Sequence, residues 1–204
     1  MNLPPAHALI GRIPLVWRTL GAILILLGAL GLIIQGRASI LRSGKEVRLR
    51  TVPVDPRDLF RGDYVVLNYT ISTVDAPQGE RRLERGEKVY VVLGPGGDGF
   101  AEARRATTDW PSTSGDEVVM AGRVTSPNAC VVNAEGVTDC RAGRGRLRVA
   151  YGLESYFVPQ GTGRAIETTD RKRLEIVAAV SGSGEAAIKR LLIDGKLVHA
   201  EPPY

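Results

Sequence analysis

One uninterrupted apolar run constrains this chain more than any other feature. Residues 15–34 read LVWRTLGAILILLGALGLII, with Arg18 as the only charge. A helix of that length covers about 30 Å, the thickness of a bilayer's hydrocarbon core. Arg18 lies in the first turn, where a long side chain snorkels to the headgroups, and Trp17 beside it suits the interface. The residues that follow, Gln35-Gly36-Arg37-Ala38-Ser39, lack a small-x-small cleavage pattern, so the run is expected to remain as an uncleaved signal anchor. The expected organisation is a short tail at 1–14, a transmembrane helix at 15–35, a basic juxtamembrane linker at 36–45 and one domain at 46–204.

Orientation draws opposite signals. Arg12 and Arg18 precede the span, whereas Arg37, Arg42, Lys45, Arg48 and Arg50 follow it, a balance that favours a cytoplasmic domain. Against this, Cys130 and Cys140 bracket VVNAEGVTD, two β-prone ends around a Glu-Gly turn. A hairpin there brings the sulfurs within bridging distance, and a disulfide belongs outside the cytoplasm. The expectation is therefore an extracytoplasmic domain with a Cys130–Cys140 bridge.

Past residue 45 the pattern is that of strands: VRLRTV (47–52), YVVLNYTI (64–71), KVYVVL (88–93), DEVVMAGRV (116–124), RLRVAYGL (146–153), LEIVAAV (174–180) and IKRLLIDGKLV (188–198). Glycine clusters and Asp194-Gly195, a strong hairpin signal, punctuate them. EAAIKRLL (185–192) has the propensity for a helix, but its neighbours favour a strand. The fold expected is mainly β, a sandwich or barrel-like domain behind one transmembrane helix. It also repeats. Leu67-x-Tyr69-x-Ile71 with Pro77-Gln78-Gly79 and Arg82 recurs at one constant spacing as Val149-x-Tyr151-x-Leu153 with Pro159-Gln160-Gly161 and Arg164. Two similar β units, 61–108 and 144–194, are expected. Alternation places Tyr69 and Tyr151 on the apolar face, as packing residues whose hydroxyls find backbone partners.

The densest cluster of special residues is PVDPRDLFRGDY (53–64). Two prolines stiffen the approach, Asp58 can cap a turn, and Gly62-Asp63 bends the chain into the next strand. GDYVVLNY (62–69) resembles the motif of the GDYXXLXY family of bacterial membrane-anchored proteins, matching at Gly62, Asp63, Tyr64, Leu67 and Tyr69. VDPRDLFR before it and YGLESYFVPQGTG (151–163) also resemble that family, whose activity, substrate and cofactor are unassigned. The resemblance implies a bacterial membrane-anchored protein; with the single apolar run and the cysteine pair, the expected localisation is the bacterial inner membrane, single-pass, with the domain in the periplasm. A weaker similarity links the membrane anchor and Pro56–Asp63 to type I signal peptidases. There the nucleophilic serine should precede Pro56 by about three residues, and Pro53 occupies that place. Lys88 and Lys172 have no evident serine partner in this stretch, so an active Ser–Lys dyad is not expected.

Composition excludes further chemistry. Two histidines and two cysteines leave little material for zinc or a histidine-based triad. No loop has calcium-ligand spacing, so neither metal nor cofactor is expected. The net charge of +5 is concentrated partly beside the span and partly at Arg141, Arg144, Arg146 and Arg148, which suits anionic headgroups. With aromatics at only 5% and no recognisable module, nucleic acid is not an expected partner. The expected function is that of a non-catalytic accessory or interaction protein of the bacterial envelope. Its expected partners are the lipid bilayer and another membrane or envelope protein. Its expected recognition surface comprises Asp55, Arg57, Asp58, Arg61, Gly62, Asp63, Tyr64, Leu67, Tyr69, Glu154, Tyr156, Pro159 and Gly161. The alternatives are an enzyme with a carboxylate-based site, or a signal-peptidase-like fold lacking its nucleophile.

Overall fold

The computed structural model of the chain describes residues 14–52, 64–77, 82–129, 131–132, 138–139, 145–157 and 173–202. At 64–66, 131–132, 138–139 and 157 the description is of the backbone alone. A single helix, α1 (Leu15–Ser43), contains the apolar run and continues nine residues past Ile34. The large apolar side chains of its 15–34 run, Leu24 and Leu32 among them, are exposed, and the helix is long and apolar enough to cross a membrane. It extends through most of the segment expected as a linker.

The chain divides into two units, Met1–Ser39 and Ile40–Tyr204. The second is mainly β. One five-stranded sheet has the order β14 (Lys196–Ala200), β13 (Ala186–Ile193), β12 (Leu174–Val180), β1 (Lys45–Val52), β3 (Asn68–Tyr69). The other has the order β4 (Thr73–Asp75), β10 (Arg146–Ala150), β7 (Val118–Ser126), β5 (Lys88–Pro95), β6 (Ala101–Thr107). Two short ribbons complete the described strands: β2 (Tyr64–Val66) with β11 (Ser155–Phe157), and β8 (Val131–Val132) with β9 (Thr138–Asp139).

Local sequence explains most of these elements. In β1, Val47, Leu49 and Thr51 are buried while Glu46, Arg48 and Arg50 are exposed, the period-two signature of a strand with one face in the core. The buried Thr51 hydroxyl donates to the Leu174 carbonyl at 2.8 Å. β12 is buried on both faces from Ile176 to Val180, as its continuous apolar run requires. One of its faces packs Ala179, with Ala187 of β13, against Ile40 and Leu41 in the last turn of α1. EAAIKRLL is a strand, because β12 supplies a complete antiparallel ladder beside it. Asp194 and Gly195, both at positive φ, turn β13 back into β14. YVVLNYTI differs from the single strand expected. Its first part pairs with β11 and its second with β1, so the chain jogs at Leu67 and closes with a 3-10 turn at Thr70–Ser72.

The two sheets repeat each other. The order β13-β12-β1-β3 in one corresponds to β6-β5-β7-β10 in the other. Between β12 and β13 a one-residue bulge falls after Val177, with Val177 opposite Arg190 and Ala178 opposite Ile188. Between β5 and β6 the same bulge falls after Val92, with Val92 opposite Arg105 and Leu93 opposite Ala103. The connecting turns share their hydrogen bonds: Gly96 N–H to Phe100 O and Gly99 N–H to Gly96 O in one, Ser181 N–H to Glu185 O and Gly184 N–H to Ser181 O in the other. The halves are also interlocked. β1, from the first half of the chain, pairs with β12 from the second, and β7, from the second, pairs with β5 from the first. β1 and β7 lie outside the units 61–108 and 144–194 marked by the sequence. One core is shared, with Leu49, Leu67 and Ile176 from one side and Val89, Val91 and Met120 from the other fully buried. Each such side chain is worth about 1.5–3 kcal/mol of burial.

Candidate functional site

The motif strand β2 meets the second segment expected in the recognition surface. Tyr64 lies opposite Phe157, Val65 opposite Tyr156 and Val66 opposite Ser155. The Leu67 N–H then donates to the Glu154 carbonyl at 2.8 Å. Residues far apart in sequence thus form one ribbon outside the ladders of both large sheets. Asp55, Arg57, Asp58, Arg61, Gly62, Asp63, Pro159 and Gly161 lie outside the described residues, as do Cys130, Cys140 and Lys172. The hairpin those cysteines flank is present as β8 and β9, with Val131 opposite Asp139.

Within the motif, Leu67 and Tyr69 belong to the core and not to a surface. Leu67 is fully buried and Tyr69 nearly so. The Tyr69 hydroxyl donates to the Leu153 carbonyl at 2.6 Å, and the Tyr151 hydroxyl donates to the Ile71 carbonyl at 2.7 Å. The exchange is reciprocal: each tyrosine reaches the carbonyl two residues beyond the other. Burial, with the Glu154 charge adding to it, pushes both phenols far above their ordinary range. They therefore stay protonated as donors. Glu154 has a conformational role. Its Oε1 accepts from the Tyr151 N–H at 2.6 Å and its Oε2 from the Gly152 N–H at 2.9 Å. This fixes the turn where Gly152 takes a φ of 78°, a value glycine adopts without strain.

Tyr156 has the most chemically distinctive surroundings. Its hydroxyl is hydrogen-bonded to His199 Nδ1, and the two rings meet edge to face at 5.6 Å. Glu201 stands against the same hydroxyl. Burial first, then the Glu201 carboxylate, raises the phenol well above its usual range. A neutral phenol carries one proton and two lone pairs, so it can give the proton to Glu201 while accepting from the imidazole. Sequence reasoning had no route to His199 or Glu201, because their partner lies on β11 and only the folded register brings β14 to it. The rarity of histidine in the chain was the one available signal.

The remaining candidates are dispersed. Lys88 Nζ lies 4.8 Å from the centre of the Tyr90 ring. Arg146 bonds Asp75 at 3.0 Å across the β4–β10 pair. Among the described residues, no group of three His, Cys, Asp or Glu side chains is placed to hold a metal ion.

A family model described as "GDYXXLXY protein" matches residues 26–191, most of the chain. No curated protein and no solved structure matches.

Proposed function

The chain belongs to the GDYXXLXY protein family, and from that premise we propose that it is a single-pass protein of the bacterial inner membrane acting as a non-catalytic interaction module. Residues 15–34 of α1 match the hydrocarbon thickness. The helix continues about 13 Å farther at 1.5 Å per residue, carrying Arg37 and Arg42 where anionic headgroups lie. The β domain stands on the periplasmic side, a reading supported by the hairpin between Cys130 and Cys140. Its partner is another membrane or envelope protein.

The observation that carries this reading is the β2–β11 ribbon. It joins the motif to the Tyr156 segment, while Leu67, Tyr69 and Tyr151 beneath it are locked into the core. A rigid base under a short ribbon is the arrangement expected of a recognition edge. Affinity purification of the full chain from native membranes in mild detergent tests it, comparing wild type with an Asp63→Ala, Tyr64→Ala variant. A stoichiometric partner lost from a folded variant supports the proposal; a protein that purifies alone in both samples refutes it.

A further inference from the structure

The correspondence between the halves leaves one place closed on one side of the molecule and open on the other. On the closed side the β12–β13 turn is joined directly to β7, the Ala121 N–H donating to Gly184 O at 2.8 Å. Trp110 also packs against Gly184 there. On the other side the equivalent β5–β6 turn meets β1 through side chains. The Phe100 ring lies 5.0 Å from the Arg48 guanidinium and 4.4 Å from that of Arg50. Arg50 also bonds Asp98 at 2.5 Å. Between this turn, β1, the start of β7 and the end of β13 a cleft of about 670 Å³ remains. That size falls within the range of about 300–1,000 Å³ typical of small-molecule sites.

The walls of the cleft divide by chemistry. Val47, Leu93, Val118 and Leu192 form an apolar floor, and Lys45, Arg48 and Arg190 stand around it with Glu46 and Asp116. Each cation already holds one acceptor. Lys45 donates to the Asp116 carbonyl at 3.0 Å, Arg48 to Glu175 at 2.7 Å, and Arg190 to Glu46. An ammonium has three N–H donors and a guanidinium five, so capacity remains for an incoming anion. The Lys45 and Arg48 side chains are 50% and 46% exposed, which places them within reach of solvent. The Arg190–Glu46 pair recurs on the closed side as Arg105–Glu117, whereas Arg48 and Phe100 belong to the open side alone. The registers place Val119 where the other side has Arg48, and the turns place Glu185 where it has Phe100.

We propose that this cleft binds an anionic amphiphile. The phosphate or carboxylate head lies against Lys45, Arg48 and Arg190, and the acyl chain lies along the apolar floor. A neutral amphiphile leaves the spare N–H donors of Lys45, Arg48 and Arg190 unused, and a bare anion leaves the floor empty. The inference is independent of what the β2–β11 ribbon recognises.

The test uses the full chain in phosphatidylcholine nanodiscs and dodecyl phosphate carrying a photoactivatable diazirine on its chain, with labelled residues mapped by mass spectrometry. Label is expected on β1, β5 and β7, competed by unlabelled dodecyl phosphate or by laurate. Arg48→Gln should lower labelling about tenfold, the loss of roughly one charge-assisted contact. Arg48→Lys should retain most of it. Leu192→Trp, at a half-buried position of the floor, should block labelling in a protein that melts like wild type. Label confined to α1 overturns the proposal. So does competition by inorganic phosphate alone, or by dodecyl maltoside as strongly as by dodecyl phosphate. If Arg48→Gln does not fold, Arg48→Lys and Leu192→Trp decide the matter.

Discussion

The reciprocal tyrosines offer the sharpest test of how the halves are held together. Tyr69→Phe removes one hydroxyl from the core and leaves the Leu153 carbonyl without that donor; Tyr151→Phe does the same to Ile71. A typical buried hydrogen bond contributes about 0.5–1.5 kcal/mol net, and an acceptor left unsatisfied costs about 1–3 kcal/mol. Both rings are almost wholly buried, so water cannot readily replace the lost donor. Each single substitution should therefore cost about 1–3 kcal/mol and lower Tm by about 2–4 °C per kcal/mol for a chain of this size. Because Tyr151 and Leu153 are near neighbours on one segment, the double variant should depart from additivity by at least about 0.5 kcal/mol. The assay is urea unfolding of the full chain in mild detergent, followed by Trp110 fluorescence in a Trp17→Phe background. Singles within about 0.3 kcal/mol of wild type, or one costing several times the other, would falsify the equivalence of the two bonds.

A Cβ on Gly122 would stand 2.4 Å from Val149 Cγ1 and 2.9 Å from the Ala150 carbonyl. Gly122→Ala should thus cost about 1–3 kcal/mol in urea unfolding, whereas Gly182→Ala, with nothing within 4 Å, should unfold at the wild-type midpoint. Four carboxylates are held below their ordinary range: Glu46 chiefly by its bond from Lys189, Asp98 by the Phe100 N–H, Glu117 by Arg105 and Asp194 by Arg173. Their unfolded forms bind protons at higher pH than their folded forms. The stability they contribute is present above their unfolded pKa values, near 4, and is lost as pH falls through the folded ones. Tm should hold from pH 7 to about 5 and fall between about 5 and 3; a flat profile across that lower window would refute the assignment.

Alternation and turn chemistry made most strands legible in the sequence. Val47, Leu49 and Thr51 gave β1 its buried face, the apolar run gave β12, and Asp194-Gly195 gave the last hairpin. The jog at Leu67 was not legible, because nothing local announces that two halves of one β-prone segment have different partners. Nor was the interlocking: pairing β1 with β12 is a contact across most of the domain, and no spacing rule encodes it. Of the expected recognition surface, the fold joins Tyr64 to the Tyr156 segment and sends Leu67 and Tyr69 inward. Sequence could place Tyr69 on the apolar face but could not name Leu153 as its acceptor.

The interlocked strands also set the order in which the domain can be completed during synthesis. β1 leaves the ribosome first, directly behind the hydrophobic helix, yet Lys45 is opposite Val180 and Arg50 is opposite Glu175. About 130 residues must therefore be made before its principal partner exists, an interval of roughly 6–26 s at about 5–20 residues per second. Until then, among the described residues, only Thr51 and Val52 have a strand neighbour, at Tyr69 and Asn68. The nascent chain thus carries an open strand edge, and closure of the domain waits on its last quarter.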